Sequence, residues 1–177
     1  MHVIGISGSP VKGGNTETAI EKVLDGARRA GAQTELVRLY ELDFGPCDGC
    51  DTCEAGGDCV IDDDATALIE RLRAARAVVF GTPVYWYHVS GVMKNLIDRT
   101  YVNYQHQDLV GKLVVAIVVQ HCEGAEETVP LFRHWCEGQG CTLLEAVTVT
   151  SQGRPDVVSA NGELVARLSR LGQRLAG

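Results

Sequence analysis

His2-Val3-Ile4-Gly5-Ile6-Ser7 runs into Gly8-Ser9-Pro10-Val11-Lys12-Gly13-Gly14-Asn15-Thr16, a short β-branched apolar run followed by nine residues of which four are Gly or Pro. Beyond Thr16 the apolar positions Ile20, Val23, Leu24 and Ala27 recur at i, i+3, i+4 and i+7, so a helix starts where the loop stops, near Asn15. The unit reads strand, loop, helix. The first N–H groups of a helix lack intrahelical partners, and an anion placed there gains charge-assisted hydrogen bonds of roughly 1.5–3 kcal/mol each. Spacing narrows the anion. A Walker loop needs Lys and Ser/Thr where this chain has Gly14-Asn15, and Gly5, Gly8, Gly13 and Gly14 do not have the dinucleotide spacing G-x-G-x-x-G. A monophosphate held by hydroxyls and backbone amides is left, beside the plainer reading of a strand-to-helix turn with an Asn cap.

Outward from this unit, apolar β-branched runs recur at Val3–Ile6, Thr34–Val37, Ala77–Phe80, Leu113–Val119 and Leu143–Val149. Between them helical periodicity is carried by Leu68 and Leu72, by Val92, Leu96 and Ile97, by Val129, Phe132 and Trp135, and by Leu164, Leu168, Leu171 and Leu175. Nearly continuous apolar strands alternating with amphipathic helices predict an α/β fold, a parallel sheet covered on both faces. With right-handed crossovers the expectation is a flavodoxin-like three-layer sandwich, five strands in the order 2-1-3-4-5, over residues 1–177 as a single domain. Ligands in such sheets bind outside the strands' carboxyl ends near the β1/β3 switch point, which would bring together Gly8–Asn15, Pro83–Gly91 and Gln120–Gly124.

The loop after the third strand, Gly81-Thr82-Pro83-Val84-Tyr85-Trp86-Tyr87-His88-Val89-Ser90-Gly91, puts three aromatics in a row in a chain that is 6% aromatic. Such a cluster wants a flat apolar partner, and a loop bounded by Pro and Gly can offer backbone donors to a ring's edge. The stretch Thr82 to Arg99 and the loop Gly8 to Thr16 together resemble flavodoxin-like NAD(P)H-dependent FMN reductases. That resemblance implies that Ser9, Pro10, Lys12, Gly14, Asn15 and Thr16 hold the FMN phosphate and that Pro83, Val84, Tyr85, Trp86, Ser90 and Gly91 line the flavin. It also implies a helix through Lys94 and Arg99 at a homodimer interface, although both residues also read as solvated helix charges. Core or dimer packing is the alternative for the three aromatics.

Cys47, Cys50, Cys53 and Cys59 have the spacing C-x2-C-x2-C-x5-C in a Gly- and Asp-rich loop. Zinc sites usually use two separated Cys pairs, whereas successive Cys at x2 spacing can wrap one face of an iron-sulfur cubane. The segment 47–64 resembles the compact motif of iron-sulfur flavoproteins, which carry FMN and a [4Fe–4S] cluster. Free or disulfide-paired thiols stand as the alternative, favoured by Asp48, Asp51, Glu54 and Asp58, whose charge adds to that of any thiolates. Cys136 reads as a small core residue.

A formal net charge of −7 gives no general attraction to nucleic acid or anionic membrane, and no run is long and apolar enough for a span. A cytoplasmic protein is therefore expected, and the resemblance implies a flavoprotein with NAD(P)H as donor and a quinone, flavin or other small molecule as acceptor. Two other readings stay open: an electron carrier serving a redox protein partner, and a thiol or zinc regulatory module. No acid–base residue is assigned, because the cofactor carries the chemistry.

Overall fold

The computed structural model describes residues 1–177. Five parallel strands, β1 (His2–Ser7), β2 (Gln33–Arg38), β3 (Ala77–Pro83), β4 (Leu113–Gln120) and β5 (Thr142–Thr150), form one sheet in the order β2-β1-β3-β4-β5, as expected. Six helices surround it: α1 (Asn15–Arg29), α2 (Asp64–Ala74), α3 (Gly91–Arg99), α4 (Tyr101–His106), α5 (Ala125–Gln139) and α6 (Gly162–Ala176). Because successive side chains alternate, the central strands β1, β3 and β4 are buried on both faces, while the edge strands β2 and β5 stay partly exposed. Val3, Ala77, Val79, Val115 and Ile117 pack with α1 and α6, whereas Ile4, Ile6, Val78, Phe80, Val114 and Ala116 pack with α2, α3 and α5. No helix is long and apolar enough to cross a membrane.

Two close approaches fix the α1 side. A Cβ on Gly5 would stand 2.5 Å from Ile20 Cγ2, and one on Gly172 of α6 would stand 1.8 Å from the Val23 carbonyl oxygen of α1, so only glycine lets α6 seat there. α1 therefore lies tightly along the sheet, and its N-terminus is aimed from the end of β1.

The sequence reading missed α4. Tyr101-Val102-Asn103-Tyr104-Gln105-His106 carries no 3.6-residue apolar period, since only Val102 and Asn103 turn inward while Tyr101 and Tyr104 stack on each other with ring centroids 5.7 Å apart. Lys94 and Arg99 also separate. Lys94 pairs with Asp98 on the helix surface, at 2.6 Å, but the Arg99 side chain is 0% exposed, which corrects the expectation that it is a solvated charge.

Candidate functional site

At the crest of the sheet the chain leaves β1 through Gly8, whose N–H donates to the Gly81 carbonyl oxygen at 2.8 Å. A Cβ on Gly8 would lie 2.8 Å from Ser90 Oγ and 3.0 Å from Met93 Cβ, so glycine is what lets the first loop touch the loop after β3. Ser9 Oγ accepts from the Val11 N–H at 3.2 Å and turns the chain, and Gly13 at φ +68° returns it to α1. Gly14 caps α1 with no side-chain hydrogen bond, which leaves the first-turn N–H groups open to an anion. Glu17 in that turn would repel one. Arg38 offsets it with two hydrogen bonds of 2.7 and 2.8 Å, and these hold the Glu17 carboxyl below the usual carboxylate range.

Three residues expected to bind phosphate or line the flavin turn out to have other partners. Asn15 donates from Nδ2 to the Arg154 carbonyl oxygen at 2.6 Å and accepts at Oδ1 from the Val158 N–H at 3.1 Å, so its side chain pins the segment after β5 and only its backbone N–H remains for an anion. Lys12 pairs with Glu41 at 2.5 Å. Ser90 is fully buried, accepting nothing from solvent: its hydroxyl donates to the Gly8 carbonyl oxygen at 2.7 Å, and its N–H donates to Thr82 Oγ1 at 3.1 Å. It is the tie between the two loops rather than a lining group. Pro10 and Gly91 are exposed, Gly14 is half-buried, and Thr16 is buried in the first turn of α1.

The aromatic run forms a tight hairpin. Tyr85 and His88 exchange backbone hydrogen bonds of 2.8 and 3.1 Å across a two-residue turn whose central positions, Trp86 and Tyr87, have φ of +48° and +63°. Turns with two positive φ values ordinarily take Asn-Gly, and each bulky residue in this region costs about 1–3 kcal/mol. Tyr87 is held there by donating its hydroxyl to Glu123 Oε1 at 2.7 Å, a bond that raises the phenol's pKa, and by Gly124, where a Cβ would meet Val84 Cγ1 at 2.7 Å. The turn leaves Trp86 94% exposed. Replacing the pair together, Trp86→Asn with Tyr87→Gly, should raise stability by about 1–3 kcal/mol in chemical denaturation while weakening any planar ligand bound beside it.

Val84, Tyr85, Trp86, Tyr87, His121, Cys122 and Glu123 line an open cleft of about 630 Å³, within the usual range for a small-molecule site. The three expected loops thus meet: Val84 N–H donates to the Val119 carbonyl oxygen at 2.8 Å, and Tyr87 bonds Glu123. Two contributors escaped the sequence reading. Tyr40, just after β2, is exposed and near Tyr85, whose phenol is pushed up by burial and then by this neighbour; residues 151–158 join the crest through Asn15 and through the Gln152 N–H to the His121 carbonyl oxygen at 2.9 Å. Neither lies in a stretch whose composition signals a ligand.

α3 starts at the hairpin and ends at the cysteine loop, about 12 Å away at 1.5 Å per residue. Cys47, Cys50, Cys53 and Cys59 all line one cavity against α3 and α4, which they share with Arg99, Tyr101 and Val102. Gly49, Asp51 and Gly56 take positive φ, which lets so short a loop curl its sulfurs to one side. The cavity is only about 30 Å³, the space of one water, and no three of these side chains gather closely enough to hold a metal ion. The four thiols are free, and burial followed by the charges of Cys47 and Cys59 raises the pKa of Cys53. A shared cavity is thus present where a preformed metal site was one expectation. Elsewhere, burial pushes Cys136 up to about 12 and Cys141 to about 11, so both stay protonated at neutral pH.

Residues 1–154 match the model of the NADPH-dependent FMN reductase family. The chain belongs to that family. Among relatives of this FMN reductase family member, an iron-sulfur flavoprotein of Methanocaldococcus jannaschii is 35% identical over 132 residues, 73% of this chain and 68% of the relative. An iron-sulfur flavoprotein of Methanosarcina thermophila is 32% identical over 148 residues, 81% of this chain and 77% of the relative. In fold, the chain superposes on an FMN-dependent NADH-azoreductase of Bacillus anthracis, solved in complex with FMN, with a TM-score of 0.74 over 100% of both chains at 10% identity.

Proposed function

We propose that the chain is an FMN-dependent oxidoreductase that takes reducing equivalents from NAD(P)H and passes them to a small acceptor such as a quinone or a second flavin. The observation that carries this reading is the junction of Gly8 and Ser90, which joins an uncapped helix N-terminus to an aromatic cleft at the switch point of the sheet. The residues fit FMN. Its phosphate would meet the first-turn N–H groups of α1 and the Ser9 hydroxyl, and its ring would lie in the cleft beside Tyr85 and Trp86. FMN, when bound, supplies two-electron acceptance from a nicotinamide and release in one or two steps. The chain's own work is positional: Arg38 neutralises Glu17 beside the phosphate, Ser90 fixes the spacing of the two loops, and the Tyr87–Glu123 bond holds the hairpin against the third loop.

For the cysteine cavity the donor set fits a [4Fe–4S] cluster, with four thiols from one loop on one side and a buried guanidinium among them. Cys47, Cys50, Cys53 and Cys59 would be its ligands, and it would supply one-electron transfer. The kinship with iron-sulfur flavoproteins supports this reading, and with it a redox protein as an alternative acceptor. Turnover separates the two roles, since an enzyme consumes NAD(P)H with a small acceptor and a carrier does so only with its partner protein.

The cofactor reading is tested by titration with FMN, followed in tryptophan emission. The chain has two tryptophans. Trp135 is 8% exposed and donates to Thr100 Oγ1 at 2.8 Å, so the solvent-exposed part of the emission belongs to Trp86. One equivalent of FMN should quench that part in the native protein, and Trp86→Phe should lose it. An unchanged quench of exposed emission in the variant would place the flavin away from the hairpin.

A further inference from the structure

Between Leu42 and Asp63 the chain forms no helix or strand, so something other than backbone pairing must hold the cysteines on α3. Arg99, the last residue of α3, is buried entirely. Its Nη1 donates to Asp63 Oδ2 at 2.6 Å and to the Gly45 carbonyl oxygen at 3.3 Å; its Nη2 donates to the Ile61 carbonyl oxygen at 3.2 Å, to Thr66 Oγ1 at 3.4 Å and to Cys59 Sγ at 3.5 Å. One guanidinium thereby grips the loop on both sides of the quartet, just before Cys47 and from Cys59 onward. Asp63 is fixed in turn, its carboxylate accepting from the Gly45 N–H at 3.2 Å and capping α2 through the Ala65 N–H at 3.1 Å.

Burying a cation costs several kcal/mol unless charge and hydrogen bonds compensate it, and a single carboxylate does so only in part. Here the compensation is incomplete within the chain. Arg99 Nε is buried without an acceptor, although the residue lines the same cavity as the four thiols. Asp63 balances the Arg99 charge, so what is left over is the Nε–H donor, at the cavity that the four thiols line, and an anionic sulfur centre there would supply its partner. Lysine could not substitute, because a point charge lacks the planar fork that reaches both sides of the loop at once.

We infer that Arg99 is the positioning residue of the cysteine site: its guanidinium clamps residues 45 and 59–63 to α3 so that the four sulfurs face one cavity, and its charge and N–H groups offset the thiolates of the bound cluster. The inference rests on the reading that the quartet holds a cluster, but the clamp exists without it. The test uses the full chain, loaded with FMN, as wild type, Arg99→Met and Arg99→Lys. In metal-free protein, amide hydrogen exchange over residues 43–66 should speed at least tenfold in Arg99→Met while β1 and β3 stay protected. Arg99→Lys should loosen the loop as well. After anaerobic reconstitution with iron and sulfide, the cluster's reduction potential should move negative in Arg99→Met and return toward wild type in Arg99→Lys, because charge favours the reduced, more negative state. A merely structural arginine would loosen the loop without a potential that follows charge. Native exchange over 43–66 in Arg99→Met, or a potential identical to wild type, would overturn the inference. If Arg99→Met does not fold, faster exchange in Arg99→Lys carries the clamp, and native exchange there sinks it. If wild type binds no iron, the cluster reading fails alone and the metal-free comparison still decides the clamp.

Discussion

Gly8→Val should weaken FMN binding by about 100-fold, roughly 3 kcal/mol, while leaving the sheet intact. The first atom added at Gly8 already falls 2.8 Å from Ser90 Oγ. That oxygen cannot swing aside at low cost, because it donates to the carbonyl of Gly8 itself at 2.7 Å from a fully buried position. Two further methyl groups must displace Ser90 or Met93, whose Cβ is 3.0 Å away. Either shift separates the phosphate loop from the hairpin, so phosphate and ring can no longer be held together. Calorimetric titration with FMN measures the loss, and far-ultraviolet circular dichroism checks the fold. An unchanged affinity in the folded variant would mean that the junction does not set the site.

Each of Cys47→Ala, Cys50→Ala, Cys53→Ala and Cys59→Ala should abolish stoichiometric iron after reconstitution, together with the broad visible absorbance of a cluster, and leave FMN bound. A four-ligand cubane tolerates a missing thiolate poorly, so the four variants should behave alike. Independence from FMN follows from the separation of the sites along α3. If the thiols instead serve disulfide exchange, the four variants will differ, with only those able to pair changing redox behaviour. Their present arrangement, lining one cavity of about 30 Å³ yet not converging on a point, gives the iron count its weight.

Much of the fold is legible in local pattern, and the site less so. Val3–Ile6, Ala77–Phe80 and Leu113–Val119 read as strands because each is apolar on both faces, and both faces are indeed covered. The turn from β1 into α1 is legible in Gly13, Gly14 and the periodicity that follows. What composition could not show is which partner a polar side chain takes. Asn15 looks like a phosphate donor from its neighbours, but its hydrogen bonds go to residues 139 and 143 positions away. Arg99 looks like a surface charge on an amphipathic helix, and only the return of residues 45–66 over the end of α3 buries it. Ser90 likewise reads as a lining residue until Gly8 is placed against it. Long-range polar pairing leaves no period in the sequence, so these roles appear only in the folded chain. The positive φ values at Trp86 and Tyr87 are a different case: local rules argue against aromatics there, and such violations gather at functional sites.

The central claim, that FMN at the crest of the sheet accepts electrons from a nicotinamide, is tested most directly by anaerobic titration of the FMN-loaded protein with NADPH and with NADH. At least one of the two should bleach the flavin's long-wavelength absorbance band completely at one equivalent per chain, and air should restore it. A band that stays oxidised under excess of both nucleotides, in protein whose flavin dithionite still reduces, would contradict the claim.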